Sequence, residues 1–184
     1  AADSKIDVIL GQLNSNNPNV KAAAFTALKS VAVVKDLNTL FVLLNTVTEP
    51  NEIQAVQEAI TAAIKGTGDA AKQTEVLLSQ ISSVSADKKP NYLRILANVG
   101  TKKALNFVAT SFAKGDASTQ KAALNALANW SDVSATAELY KIGKSTSDAA
   151  YLDQAVSGYV RAVNVSKQTP TQKVLMLRKA DRKS

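Results

Sequence analysis

Along almost the whole of this 184-residue chain, apolar residues recur at the three-and-four spacing of helices. Ile6, Ile9, Leu10 and Leu13 predict a first helix over about 3–14, and Val20, Ala24, Ala27, Leu28 and Val31 a second over about 18–31. Leu37, Leu40, Phe41 and Leu44 predict a third over about 36–47. Val42 and Leu43 make it apolar all round, which implies burial on both sides. Ile53, Val56, Ile60, Ala63 and Ile64 mark a fourth over about 50–65. Helices follow near 70–84 (Leu77, Ile81, Val84) and 90–99 (Leu93, Leu96, Ala97). Leu105, Val108, Ala109 and Phe112 mark the next, then Ala123, Leu124, Leu127 and Trp130. Leu139 and Ile142 begin a further pair, completed by Leu152, Ala155, Val156, Tyr159, Val160 and Val163. Val174, Leu175 and Leu177 give a last helix over about 170–180. No run alternates with the period of a strand.

The residues between these runs agree with them. Pro18, Pro50, Pro90 and Pro170 each stand where a helix should begin, a position whose N–H has no partner to lose. Thr169-Pro170-Thr171-Gln172 has the form of a capping box. Gly66, Gly68, Gly100 and Gly115 fall at helix ends, where a left-handed residue is expected to close the last turn. Eleven helices joined by tight turns make five pairs and one left over.

One pattern returns about every 32 residues. Asn17-Pro18-Asn19-Val20-Lys21-Ala22-Ala23-Ala24-Phe25-Thr26-Ala27-Leu28 recurs from Asp116 to Leu127 and from Asp148 to Tyr159, with weaker copies from Glu49 and Ser85. The Ser85 copy carries a short insertion near Asp87-Lys88-Lys89. Each strong copy opens on a side chain that can cap a helix. Seven positions on it has a small residue (Ala24, Ala123, Ala155), where two helix backbones approach. It ends on a bulky one (Leu28, Leu127, Tyr159) that fills the space between successive pairs. Fixed-period similarity of this kind marks stacked repeats, in which each pair hides the apolar face of the next.

The spacing Asn-x-x-Val-Lys-x-x-Ala-x-x-Ala-Leu from Asn17 to Leu28 resembles the second helix of a HEAT repeat, the two-helix unit of armadillo-type α-solenoids. The resemblance implies an all-α fold: a right-handed superhelix of about five HEAT-like hairpins in a single domain spanning 1–184. The repeats would cover about 3–31, 36–65, 69–99, 101–130 and 133–165, with a capping helix at 170–180. A narrower likeness rests on Ala122-Ala123-Leu124-Asn125-Ala126-Leu127-Ala128-Asn129-Trp130 followed by Gly158-Tyr159-Val160-Arg161. It is similar to HEAT-like domains of bacterial envelope proteins that accompany keto-disaccharide-hydrolase-type domains. That likeness implies a periplasmic or envelope location and a place as the helical part of a longer protein. The start, Ala1-Ala2-Asp3-Ser4-Lys5, fits either a mature terminus after signal removal or the cut edge of such a polypeptide.

Composition narrows the chemistry. Aromatics are only 5% of the chain while 30 residues are alanine, which suits closely packed helices better than strands. No apolar run reaches the roughly 20 residues that span a bilayer. There is no histidine and no cysteine, so the commonest general base, the commonest metal ligand and the best nucleophile are missing. Ser111-Phe112-Ala113-Lys114 and Ser118-Thr119-Gln120-Lys121 match a Ser-x-x-Lys pattern, without the partner motifs such enzymes carry. Glu49 with Glu52, and Asp3 with Asp7, read as first-turn acids that complement a helix dipole. The expectation is no catalytic residue, no cofactor and no metal.

The net charge of +7 is spread along the chain. Its one concentration is C-terminal, at Lys173, Arg178, Lys179, Arg182 and Lys183, and a solvated face accounts for it. The expected function is therefore a non-catalytic scaffold that binds a protein, or a neighbouring domain of its own polypeptide, through exposed residues of second helices. Lys121, Asn125, Asp153 and Arg161 are the expected contributors, with Trp130 either a binding anchor or, as its size favours, a packed residue. One rival is a nucleic-acid binder with a basic concave face. The other is a spacer that stabilises an attached glycoside-processing hydrolase.

Overall fold

The computed structural model describes residues 5–181, which form eleven α-helices and no strand. In chain order these are α1 (Lys5–Leu10), α2 (Pro18–Val31), α3 (Leu37–Thr46), α4 (Pro50–Ile64), α5 (Ala70–Ser83), α6 (Pro90–Val99), α7 (Lys102–Lys114), α8 (Ala117–Ala128), α9 (Thr136–Ser145), α10 (Ala149–Val165) and α11 (Pro170–Asp181). The start of the first expected helix, with Asp3, lies outside the described residues, as do Arg182 and Lys183 of the basic cluster. Short 3-10 turns at Val34–Asp36, Lys65–Thr67 and Val133–Ala135 lead into or out of helices where the sequence pattern predicts none.

All four prolines open helices: α2, α4, α6 and α11. The caps form where the strong copies place them. Asn17 accepts from the N–H groups of Asn19 and Val20, Asp116 from Thr119, and Asp148 from Ala150 and Tyr151. Asp69 and Thr101 cap α5 and α7 in the same way. Thr169 and Gln172 satisfy each other, at 3.0 Å from the Thr169 N–H and 3.3 Å from the Gln172 N–H. In the weaker copies Glu49 makes no side-chain cap, and Ser85 precedes a turn at 86–89 that delays α6. Losing a cap of this type costs about 1 kcal/mol. Asp148→Ala should lower stability by that amount in urea denaturation followed by Trp130 fluorescence, and Asp148→Asn by much less.

Two of the four expected glycine closures are of another kind. Only Gly68 and Gly100 have positive φ, at 126° and 77°. At Gly115 the backbone is extended. Gly66 instead leaves room for a close neighbour, since a Cβ there would lie 2.9 Å from Val34 Cβ.

The helices gather into two compact units, Ala1–Ile95 and Leu96–Ser184. In the first, α2 packs on α1 and α4, and α3 on α4. Its core holds Leu28, Leu40, Leu44, Val56, Ile60 and Leu77 at negligible exposure. Tyr92 is enclosed there too, its hydroxyl donating to Asn45 Oδ1 at 2.9 Å, and burial pushes its phenol above the usual range. In the second unit α7 packs on α8, α9 on α10, α8 on α10, and α11 on α10.

The repeat register governs burial. The seventh residue after each strong cap (Ala24, Ala123, Ala155) and the eleventh (Leu28, Leu127, Tyr159) are buried. The fifth (Ala22, Lys121, Asp153) and ninth (Thr26, Asn125, Ser157) are exposed. The tightest approach comes at the tenth position of the last copy, Gly158. A Cβ there would stand 2.6 Å from both Cα and Cβ of Ala128, so α8 and α10 meet almost backbone to backbone.

Candidate functional site

The eighth position of the register breaks the burial rule. Phe25 and Leu124 are buried there, but Val156 of α10 is 44% exposed. Leu152 is left 42% exposed, and an open hollow of about 420 Å³ remains among α9, α10 and α11. Its walls are Leu139 and Tyr140 of α9, Leu152, Val156 and Tyr159 of α10, and Leu177 of α11.

Two features give the hollow its shape and charge. The Tyr159 hydroxyl donates to the carbonyl of Met176 at 3.0 Å, tying α11 to α10, and the Tyr140 and Tyr159 rings lie 6.5 Å apart. Burial, with the Tyr140 phenol beside it, pushes the Tyr159 phenol above its usual range. The Lys144 ammonium stands 5.7 Å from the centre of the Tyr140 ring, and that of Lys179, from α11, 4.6 Å. Among the described residues no carboxylate lines the hollow. It can take in an apolar body and present cations to whatever that body carries.

A smaller polar hollow of about 220 Å³ lies between α2 and α4, beside Thr26, Gln54 and Glu58. Its acid is already engaged. Lys29 at 2.9 Å and Gln54 at 3.1 Å hold the Glu58 carboxyl below the usual carboxylate range. Among the described residues no group of three or more acidic side chains is placed to hold a metal, and no helix is long and apolar enough to cross a membrane.

None of the five residues singled out from the sequence lines the larger hollow. Lys121 and Asn125 are exposed on α8, and Asp153 is exposed on α10. Trp130 is wholly buried just after α8, as its size favours. Arg161 is not the free surface cation that the sequence reading expects. Its Nε donates to the carbonyl of Ala128 at 2.8 Å and its Nη2 to that of Trp130 at 2.7 Å. Carbonyls at a helix end lack helical partners and carry the negative end of the dipole, so a guanidinium fork suits them. Charge-assisted hydrogen bonds are worth about 1.5–3 kcal/mol each. Arg161→Leu should therefore cost about 2 kcal/mol in a denaturation midpoint, with Arg161→Lys recovering only part.

Sequence reasoning missed the hollow. The signal available was Val156, an aliphatic residue at a register position that is buried in the other strong copies.

No protein-family model matches the chain, and no curated protein sequence matches it. A crystal structure described as an engineered protein of the Northeast Structural Genomics Consortium is similar over 96% of this chain and 85% of that one, at 16% identity. The TM-score is 0.44, too low for an argument about fold or function to rest on it.

Proposed function

We propose that this chain is a non-catalytic, HEAT-like helical scaffold that holds a protein partner or a neighbouring domain of a longer polypeptide. In this reading five hairpins stack into a right-handed superhelix, with α11 closing the last. One observation carries it: in both units the second helices of consecutive hairpins pack on each other, α2 on α4 and α8 on α10, while α1, α3, α7 and α9 each pack on the helix that follows. Repeat stacks work by offering an extended surface, and the fifth and ninth register positions supply one. Lys121, Asn125 and Asp153 stand on it in α8 and α10.

The mixed charge of the second helices favours a protein over a nucleic acid. Lys21 pairs with Glu52 at 2.6 Å and Lys29 with Glu58 at 2.9 Å, which breaks the run of free cations that a phosphate backbone needs. Two measurements test the proposal. A globular chain of this length has a radius of gyration of roughly 16 Å. Solution scattering should give a clearly larger value, and 16 Å would remove the superhelix. A photo-cross-linker placed in turn at Lys121, Asn125 and Asp153 should capture the same polypeptide in the native host. Three unrelated adduct patterns, or steeply salt-dependent duplex DNA binding, would count against the scaffold.

A further inference from the structure

We propose that the hollow among α9, α10 and α11 is a binding site for a free amphipathic carboxylate, a molecule with a single aliphatic chain and an anionic head. The inference goes beyond the scaffold reading and does not rest on it.

The interior asks for an apolar body. Leu152 and Val156 stand 42% and 44% exposed on its wall, beside Leu139 and Leu177, and water against such surface is unfavourable. The rim asks for an anion. Lys144 and Lys179 come from different helices yet converge on one ring, that of Tyr140. Among the described residues no carboxylate lines the hollow, and none pairs with either ammonium. An anionic head between them would be held by charge-assisted hydrogen bonds while its chain lies along α10.

The size of the hollow suits a small ligand. The volume of about 420 Å³ lies in the lower part of the range for small-molecule sites, about 300–1,000 Å³. The hydrogen bond from Tyr159 to Met176 also keeps α11 over one side of the hollow.

The test is a titration of the uniformly ¹⁵N-labelled full chain with monomeric sodium dodecanoate, read at the amides of Gly143 and Leu177, both of which line the hollow. Saturable shifts confined to α9, α10 and α11, with sub-millimolar affinity, are expected. Decanoate should bind roughly tenfold more weakly, since each methylene withdrawn from burial weakens binding several-fold. Charge reversal in Lys144→Glu/Lys179→Glu should weaken dodecanoate at least tenfold and leave dodecanol unchanged. Val156→Trp, which fills the hollow from an exposed position, should abolish binding of both and serves if the double variant misfolds. The proposal is overturned by an absence of saturable shifts at about 1 mM, by shifts scattered over α2 and α4, or by unchanged affinity after charge reversal. Binding only to anionic phospholipid vesicles, or only to an acidic helical peptide, overturns it as well.

Discussion

Replacing Gly158 with valine is expected to destabilise the second unit by about 3 kcal/mol, near the upper end of what overpacking costs. Glycine inside a helix is about 1 kcal/mol worse than alanine, so α10 carries a local penalty at this position. The contact explains why. A Cβ at 158 would lie 2.6 Å from both Cα and Cβ of Ala128 and 3.2 Å from its carbonyl oxygen. Two of these atoms are backbone and cannot rotate away, so α8 and α10 must separate. Three residues further along α10, Arg161 bridges to the same Ala128 carbonyl at 2.8 Å, and separation stretches that bond too. Gly158→Ala should lose only about 1 kcal/mol, because better helix propensity offsets part of the crowding. Adding Ala128→Gly should restore some of that loss and not all, since it removes the Cβ but leaves the Cα. Gly158→Val and Arg161→Leu should be non-additive, because they act on one crossing. The chain has a single tryptophan, in this unit, so its fluorescence in urea reads these changes directly. A Gly158→Val protein with an unshifted midpoint would mean that the helices do not approach as described.

Much of the helical layout can be read from local chemistry. Pro18, Pro50, Pro90 and Pro170 fix helix starts because the restriction lies in the residue itself, and Asn17, Asp116 and Asp148 cap within three residues of their own position. The register carries further still. Alanine at 24, 123 and 155 and the bulky residues at 28, 127 and 159 are buried because helical geometry puts the seventh and eleventh positions on one face. What the sequence hides is set by distant neighbours. Gly115 and Gly68 look alike as helix-end glycines, yet only Gly68 has a positive φ. Arg161 looks like a solvated cation, but its partners lie 33 and 31 residues earlier, one repeat back, among carbonyls that carry no side-chain signature. The hollow is hidden for the same reason. Lys144 stands one turn from Tyr140 on α9, but only the placement of α11 brings Lys179 to the same ring.

Trp130→Ala should cost about 3–5 kcal/mol, the usual loss for a fully buried large aromatic. Trp130 has no exposed surface, and its backbone is held at both ends: its N–H donates to Leu127 O at 3.2 Å and its carbonyl accepts from Arg161. Truncation therefore leaves a cavity in a place that cannot easily collapse. The indole itself is not fully satisfied, because its Nε1–H is buried without a hydrogen-bond partner. Burying an unpaired donor costs about 1–3 kcal/mol. Trp130→Phe removes that donor and much less volume, so its two effects oppose each other, and the variant should stay within about 1 kcal/mol of the parent. Both variants lose the only tryptophan, so far-UV circular dichroism in urea is the common readout. A packed Trp130 gives a large loss for alanine and a small one for phenylalanine. A Trp130 that serves as a contact for a partner gives small losses for both in the isolated chain, and that result would overturn the buried placement.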